Sequence, residues 1–114
     1  MANGKPAFRN VIGCQHNTGY WASDTLYVFE GLFKDKQADD VTVREHLSAL
    51  INVDPEADKD TLYMTLLAIY VLAEVFADEE DQWILLVRKA KTFLKKAGIA
   101  KPEKLVKLFS LTLA

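Results

Sequence analysis

Between Asp60 and Glu74 the chain is apolar for twelve residues, Leu62 to Ala73, interrupted only by the hydroxyls of Tyr63, Thr65 and Tyr70. Leu62, Leu66, Ile69, Ala73 and Phe76 recur at helical spacing, and Tyr63, Leu67, Tyr70 and Val71 make the other sides apolar as well. A helix that is apolar nearly all round has no solvent face, so it belongs at the centre of a domain. Twelve residues fall short of a membrane span, which takes about 20. This one segment dictates the rest: other amphipathic segments must wrap it.

Four segments have that pattern. Residues 24–34 place Leu26, Phe29 and Phe33 at helical spacing, with Leu32 beside them and Ser23 or Asp24 as N-cap. Residues 42–50 follow Asp39 and Asp40 and carry Val43, Leu47 and Leu50, with Ile51 continuing the stripe. A polar loop containing Pro55 leads to the central helix, which starts after Asp58 or Asp60 and ends near residue 77. Residues 79–97 join Trp83, Leu86, Val87, Ala90, Phe93, Leu94 and Ala97 into a wide stripe. Their acidic first turn and basic last turn both suit the helix dipole, and Gly98 is placed as the C-terminal stop. Residues 102–113 begin at Pro102, a good first-turn residue, with Leu105, Leu108, Phe109 and Leu113 apolar.

The expectation is an all-α fold, a single domain over residues 1–114 with about five helices packed around the central apolar one. Residues 1–22, with early Asn, Gly and Pro and then Gly13 and Gly19, are expected to be irregular, with a short extended piece over 8–12. No internal repeat and no long alternating segment is present.

The net charge of −2 conceals an asymmetry. Up to Val87 six Lys/Arg stand against 15 Asp/Glu, and from Arg88 onward eight Lys/Arg stand against Glu103 alone. Such polarity steers partners, or the two regions neutralise each other in the fold. The basic stretch fits an anionic partner surface, or a solvated helix face. A pI near 5.6 argues against a dedicated nucleic-acid binder, for which values above about 9 are usual. Cys14 is the lone cysteine, which excludes an internal disulfide and fits a reducing, cytoplasmic setting. The start of the chain shows no apolar run of the kind a signal peptide needs.

Little points to chemistry. Cys14 and His16 lie two apart in a loop, but no third group is implied to orient a base, and His46 is distant in sequence. Cys14, His16 and His46 make three candidate zinc ligands where structural zinc takes four. Asp54, Glu56, Asp58 and Asp60 resemble the start of a calcium loop, yet the sixth and twelfth places hold Lys59 and Thr65 instead of Gly and Glu. The five glycines are scattered singly, so no phosphate-cradling loop exists. The expectation is a non-enzyme without cofactor or metal. Aromatic residues are plentiful, at 11%; most must be core, and any surplus lines a groove for a partner.

Several segments together resemble a known family. The stretch Gln15-His16-Asn17-Thr18-Gly19-Tyr20-Trp21 is followed by an amphipathic helix, and later come Thr65-Leu66-Leu67-Ala68, Leu72, Phe76, Glu80, Trp83, Lys89-Ala90 and Phe93-Leu94. This order, covering roughly residues 12–97, is similar to the C-terminal helical domain of proteins with VIT and von Willebrand factor A domains. A related region ends the vault poly(ADP-ribose) polymerase and there binds the major vault protein. Thr18 departs from the pattern, where an acidic residue often precedes the glycine, and the segment 102–113 has no counterpart.

The resemblance implies a non-catalytic module that docks a parent protein onto a vault-like shell or a neighbouring domain. The major vault protein and domains of the parent protein are the partners it implies, with nucleic acid disfavoured. The residues themselves assign Gly19 to a backbone turn, Trp21 to anchoring the N-terminal segment and Trp83 to the junction of the third and fourth helices. The competing expectation is electrostatic binding of an anionic surface through the basic C-terminal helices. The surface-prone residues assigned to a partner are Arg88, Lys91, Lys95, Lys104 and Phe109.

Overall fold

The structure, a computed structural model, describes residues 4–29, 32–34 and 40–111. Among them are five α-helices, two 3-10 turns and no strand beyond isolated single-residue bridges. The all-α class is therefore what forms. The helices are α1 (Gly4–Gly13), α2 (Val41–Ala49), α3 (Lys59–Val75), α4 (Glu80–Lys96) and α5 (Pro102–Val106), with 3-10 turns at Ser23–Val28 and Ala77–Glu79.

The central position of α3 follows from its composition. Every residue from Leu62 to Ile69 is buried, including Thr65, and α2, α4, α5 and both 3-10 turns pack against it. Asp58 caps its start: the carboxylate accepts the Asp60 N–H at 3.1 Å and the Thr61 hydroxyl at 2.9 Å. Further along, Tyr70 reaches the C-terminal segment, its hydroxyl donating to the Leu111 carbonyl at 3.3 Å. Burial, then the carboxylates of Glu74 and Asp40, push the Tyr70 phenol above its usual value.

α4 runs between matched dipole partners, Glu80 and Asp81 at the start and Lys95 and Lys96 at the end. Gly98, at φ +105°, ends it in a Schellman arrangement. The Ile99 N–H donates to the Leu94 carbonyl at 3.0 Å and the Gly98 N–H to the Lys95 carbonyl at 3.1 Å. The buried Ile99 supplies the apolar contact that accompanies such a stop.

Four expectations need correction. Within the N-terminal segment, residues 14–22 are irregular as expected, but Gly4–Gly13 is helical and no extended piece forms at 8–12. Pro6 falls in the first turn, where no hydrogen bond is lost, and Phe8 and Val11 are buried one turn apart, with the Phe8 ring 5.2 Å from Phe76. Tertiary packing, rather than local preference, makes this helix.

Second, residues 24–34 do not form a regular helix. A 3-10 turn spans Ser23–Val28 and follows Ala22, with no side-chain cap from Ser23 or Asp24. Its three-residue period buries Thr25 and Val28 together. The Thr25 hydroxyl holds the turn by donating to the Ala22 carbonyl at 2.7 Å. Glu30 and Gly31 of that expected helix, and Asp39 before the next, lie outside the described residues.

Third, α2 stops at Ala49. Leu50 turns to extended backbone (ψ 125°), which swings Ile51 away from the core stripe assigned to it. The chain then docks on the end of α4, with the Asp54 N–H donating to the Ala97 carbonyl at 2.8 Å.

Fourth, α5 ends at Val106 instead of continuing to Leu113, which lies outside the described residues. Two tight turns follow, closed by Leu108 N–H to Leu105 carbonyl and Phe109 N–H to Val106 carbonyl. Asp40 then captures the chain, as one carboxylate oxygen accepts the Ser110 N–H at 2.8 Å. Its other oxygen caps α2 through the Val43 N–H at 3.3 Å, and the Asp40 N–H donates to the Tyr63 hydroxyl at 2.8 Å. One buried residue, through its carboxylate and its backbone N–H, thus joins α2, α3 and the C-terminal segment. We predict that Asp40→Ala lowers stability by about 2–3 kcal/mol, from the lost cap and an orphaned Ser110 N–H. A thermal melt should move down by about 10–20 °C; an unchanged midpoint would refute the assignment.

Candidate functional site

Gln15, Gly19, Trp21 and Thr65 converge on one place, against α3 and α4. Gln15 spends both amide hydrogens, on the Gly19 carbonyl and the Leu86 carbonyl, each at 2.9 Å. Gly19 sits at φ +115° beneath α4, where a Cβ would lie 2.5 Å from the Lys89 carbonyl oxygen. Neither the angle nor the space admits a side chain. Trp21 is fully buried; its backbone N–H donates to the Thr65 hydroxyl at 3.0 Å and its indole N–H to the Val11 carbonyl at 2.7 Å. Trp83, also buried, donates its indole N–H to the Phe76 carbonyl at 2.8 Å, across the bend from α3 to α4. Gln15, Gly19, Trp21 and Thr65 therefore latch the N-terminal segment onto α3 and α4, while Trp83 ties α4 to the end of α3, and all five are spent in the fold.

The candidate chemical groups are engaged as well. Cys14 is half-buried, and its polar neighbour is the exposed Tyr27 hydroxyl at 3.5 Å. The hydrogen bond to that thiol raises the Tyr27 phenol above its usual value. Neither imidazole pairs with the thiol: His16 Nδ1 lies 2.9 Å from the Thr18 hydroxyl and accepts the Thr18 N–H, and His46 Nδ1 donates to the Thr42 carbonyl. The acidic loop is used in folding. Asp54 accepts the Glu56 N–H, Asp58 caps α3, and Asp60 pairs with Arg44 at 2.8 Å. Among the described residues no three His, Cys, Asp or Glu side chains come together as a metal site. No single described helix is long and apolar enough to cross a membrane.

The residues assigned to a partner separate into three groups. Arg88 and Lys95 are exposed and Lys91 half-buried, at spacings of three and four along one side of α4. Lys104 stands apart, exposed on α5. Phe109 is no surface residue: it is 7% exposed, with its ring 5.0 Å from Tyr70 and 5.7 Å from Tyr63. The early end of α5 turns it inward.

Lys104 instead belongs to a feature absent from the sequence reading. A cleft of about 710 Å³ opens between the end of α2, the turn after α4, and α5. Leu50, Ile51, Ile99, Leu105 and Leu108 give it an apolar lining, and His46, Lys101 and Lys104 also line it. Ile51 is 93% exposed and Leu50 38%. The cleft exists because α2 ends early and Gly98 brings the chain back against Asn52 and Val53. The sequence signal was the apolar pair Leu50-Ile51 standing directly before the polar loop, where a helix stripe has no turn left to occupy.

Comparison with protein-family models, curated proteins and solved structures returns no match to this chain.

Proposed function

We propose that this chain is a non-catalytic docking module that receives a protein partner in the α2–α5 cleft. The observation that carries the reading is Ile51, 93% exposed beside an apolar cleft of about 710 Å³. Uncovered apolar surface of that kind favours a partner. No buried side-chain nitrogen or oxygen among the described residues lacks a hydrogen bond, so no buried polar group is left over for a ligand. The resemblance to the C-terminal domain of VIT and von Willebrand factor A proteins supports the same reading and proposes a vault-like shell or a parent-protein domain as the partner.

The test is affinity capture from a cell extract by the wild-type chain and by Ile51→Asp, at low and high salt. The expected result is a discrete protein that survives high salt on the wild type and is lost with Ile51→Asp, whose stability changes by less than about 0.5 kcal/mol because the site is exposed. Equal retention by both chains would contradict the reading. Failure to retain purified major vault protein would remove the vault version alone.

One observation favours a second reading, binding to an anionic surface. Arg88 and Lys95 are exposed on α4 and no ion pair engages them. That reading expects affinity for nucleic acid or lipid that falls steeply with salt. It also expects loss of that affinity when Lys91, Lys95 and Lys104 are all changed to Glu.

A further inference from the structure

We infer that the element received by the cleft is an amphipathic helix with carboxylates flanking its apolar stripe; the inference rests on the docking reading above. Apolar and charged contacts each specify part of this partner. The lining from Leu50, Ile51, Ile99 and Leu105 takes apolar side chains. The charge of the lining has one sign: Lys101 and Lys104 contribute to it, and no Asp or Glu does. Both lysines are exposed and neither has an ion-pair partner among the described residues. Lys101 caps the start of α5 and Lys104 lies within it, and both line the cleft, so both are placed to meet one ligand there.

The backbone of the partner is constrained as well. The described walls are helices and a turn, with no strand edge for an extended peptide to pair with. An extended segment would leave its N–H and C=O groups unpaired against apolar side chains, at a cost for each. A helix satisfies its own backbone and presents side chains at one-turn spacing, the groove-binding mode. Carboxylates beside the stripe then meet Lys101 and Lys104 at the rim, where charge fixes register and excludes basic competitors. The His46 Nδ1–H is committed to the Thr42 carbonyl at 2.9 Å, which leaves Nε2 as a further polar contact for the ligand.

The experiment is selection from a displayed library of helical peptides of about 14 residues, roughly four turns. Leucine is fixed along one stripe, and Glu, Lys, Gln or Ser is allowed at the flanking positions. The expected result is enrichment of Glu beside the stripe. The best synthetic peptide should weaken about tenfold against the Lys101→Glu, Lys104→Glu chain, a loss of about 1.4 kcal/mol, and further against Ile51→Asp. Its Lys-substituted counterpart should show the opposite preference between wild type and the double-Glu chain.

Enrichment of Lys, or no charge preference, with binding still lost in Ile51→Asp would overturn the acidic partner and leave the docking reading standing. No recovery above the Ile51→Asp background would overturn the helical partner; the capture experiment then decides separately whether docking itself survives. Two further results, each without peptide recovery, would also overturn it by assigning the cleft elsewhere. One is Ile51-dependent sedimentation with phosphatidylglycerol vesicles. The other is self-association abolished by Ile51→Asp.

Discussion

Replacing Trp21 with alanine is expected to lower the unfolding free energy by about 3–5 kcal/mol, the range for emptying a buried aromatic site. The indole is fully buried. The volume around it is fixed by α1 on one side and α3 on the other, so the cavity cannot collapse without moving a helix. The loss extends beyond packing, because the Val11 carbonyl accepts the indole N–H at 2.7 Å and is left without that partner. Trp21→Phe separates the two effects. It removes the donor and leaves a smaller cavity than alanine does, and should cost about 1–3 kcal/mol. Against a total of about 5–15 kcal/mol for an ordinary domain, the alanine variant should approach the folding threshold. Urea denaturation measures both; a loss below about 1 kcal/mol for Trp21→Ala would show that the N-terminal segment does not depend on this anchor.

Gly98→Ala is the second large effect. The position has φ +105°, which L-residues resist, and an added Cβ would lie 2.7 Å from the Val53 Cα and closer still to the Asn52 carbonyl oxygen. These are backbone atoms, and the Asp54 N–H bond to the Ala97 carbonyl at 2.8 Å holds that strand of chain in place. Relief must come from opening the 52–54 segment away from α4. Backbone strain alone accounts for about 1–3 kcal/mol, and the displacement adds to it, so the expected loss is at least about 3 kcal/mol. Because Asn52 and Gly98 both line the cleft, the docking proposal expects the variant to lose partner binding under conditions where it is still folded. A stability change within about 0.5 kcal/mol would mean that this turn adapts freely.

The parts of the fold legible in the sequence are those that local chemistry determines. Leu62 to Ile69 are apolar on every side, and that pattern has one outcome, a buried helix. Glu80 and Asp81, Lys95 and Lys96, and Gly98 mark both ends of α4 through the dipole and the left-handed stop. Trp21 and Trp83 were legible as anchors because so large a side chain in so small a domain has few alternatives to the core. The elements read differently depend on contacts distant in the chain. α1 contains Gly4, Pro6 and Gly13, and it is helical because Phe8 meets Phe76 and Val11 meets Trp21. α5 ends at Val106, Asp40 holds the Ser110 N–H 70 residues on, and Phe109, expected at the surface, packs on Tyr63 and Tyr70 in the core.

The cleft was hidden for the same reason. Leu50 and Ile51 continue the stripe of α2 in sequence, and only the change of backbone at Leu50 shows that Ile51 faces solvent. Of the residues first assigned to a partner, Lys104 lies at the cleft, while Arg88, Lys91 and Lys95 follow a separate side of α4. Gln15, Gly19, Trp21 and Trp83, which carry the expectation of a VIT and von Willebrand factor A relative, are engaged in holding the fold together. They bear on how the chain folds, and the proposed docking rests on the cleft.

The most direct test of the cleft as the docking surface is amide hydrogen exchange of the chain alone and with the protein it retains at high salt. The account predicts added protection across residues 46–52 and 98–108, with little change along α4 around Arg88, Lys91 and Lys95. Protection confined to that side of α4, with residues 46–52 unchanged, would contradict it and assign docking to the basic face.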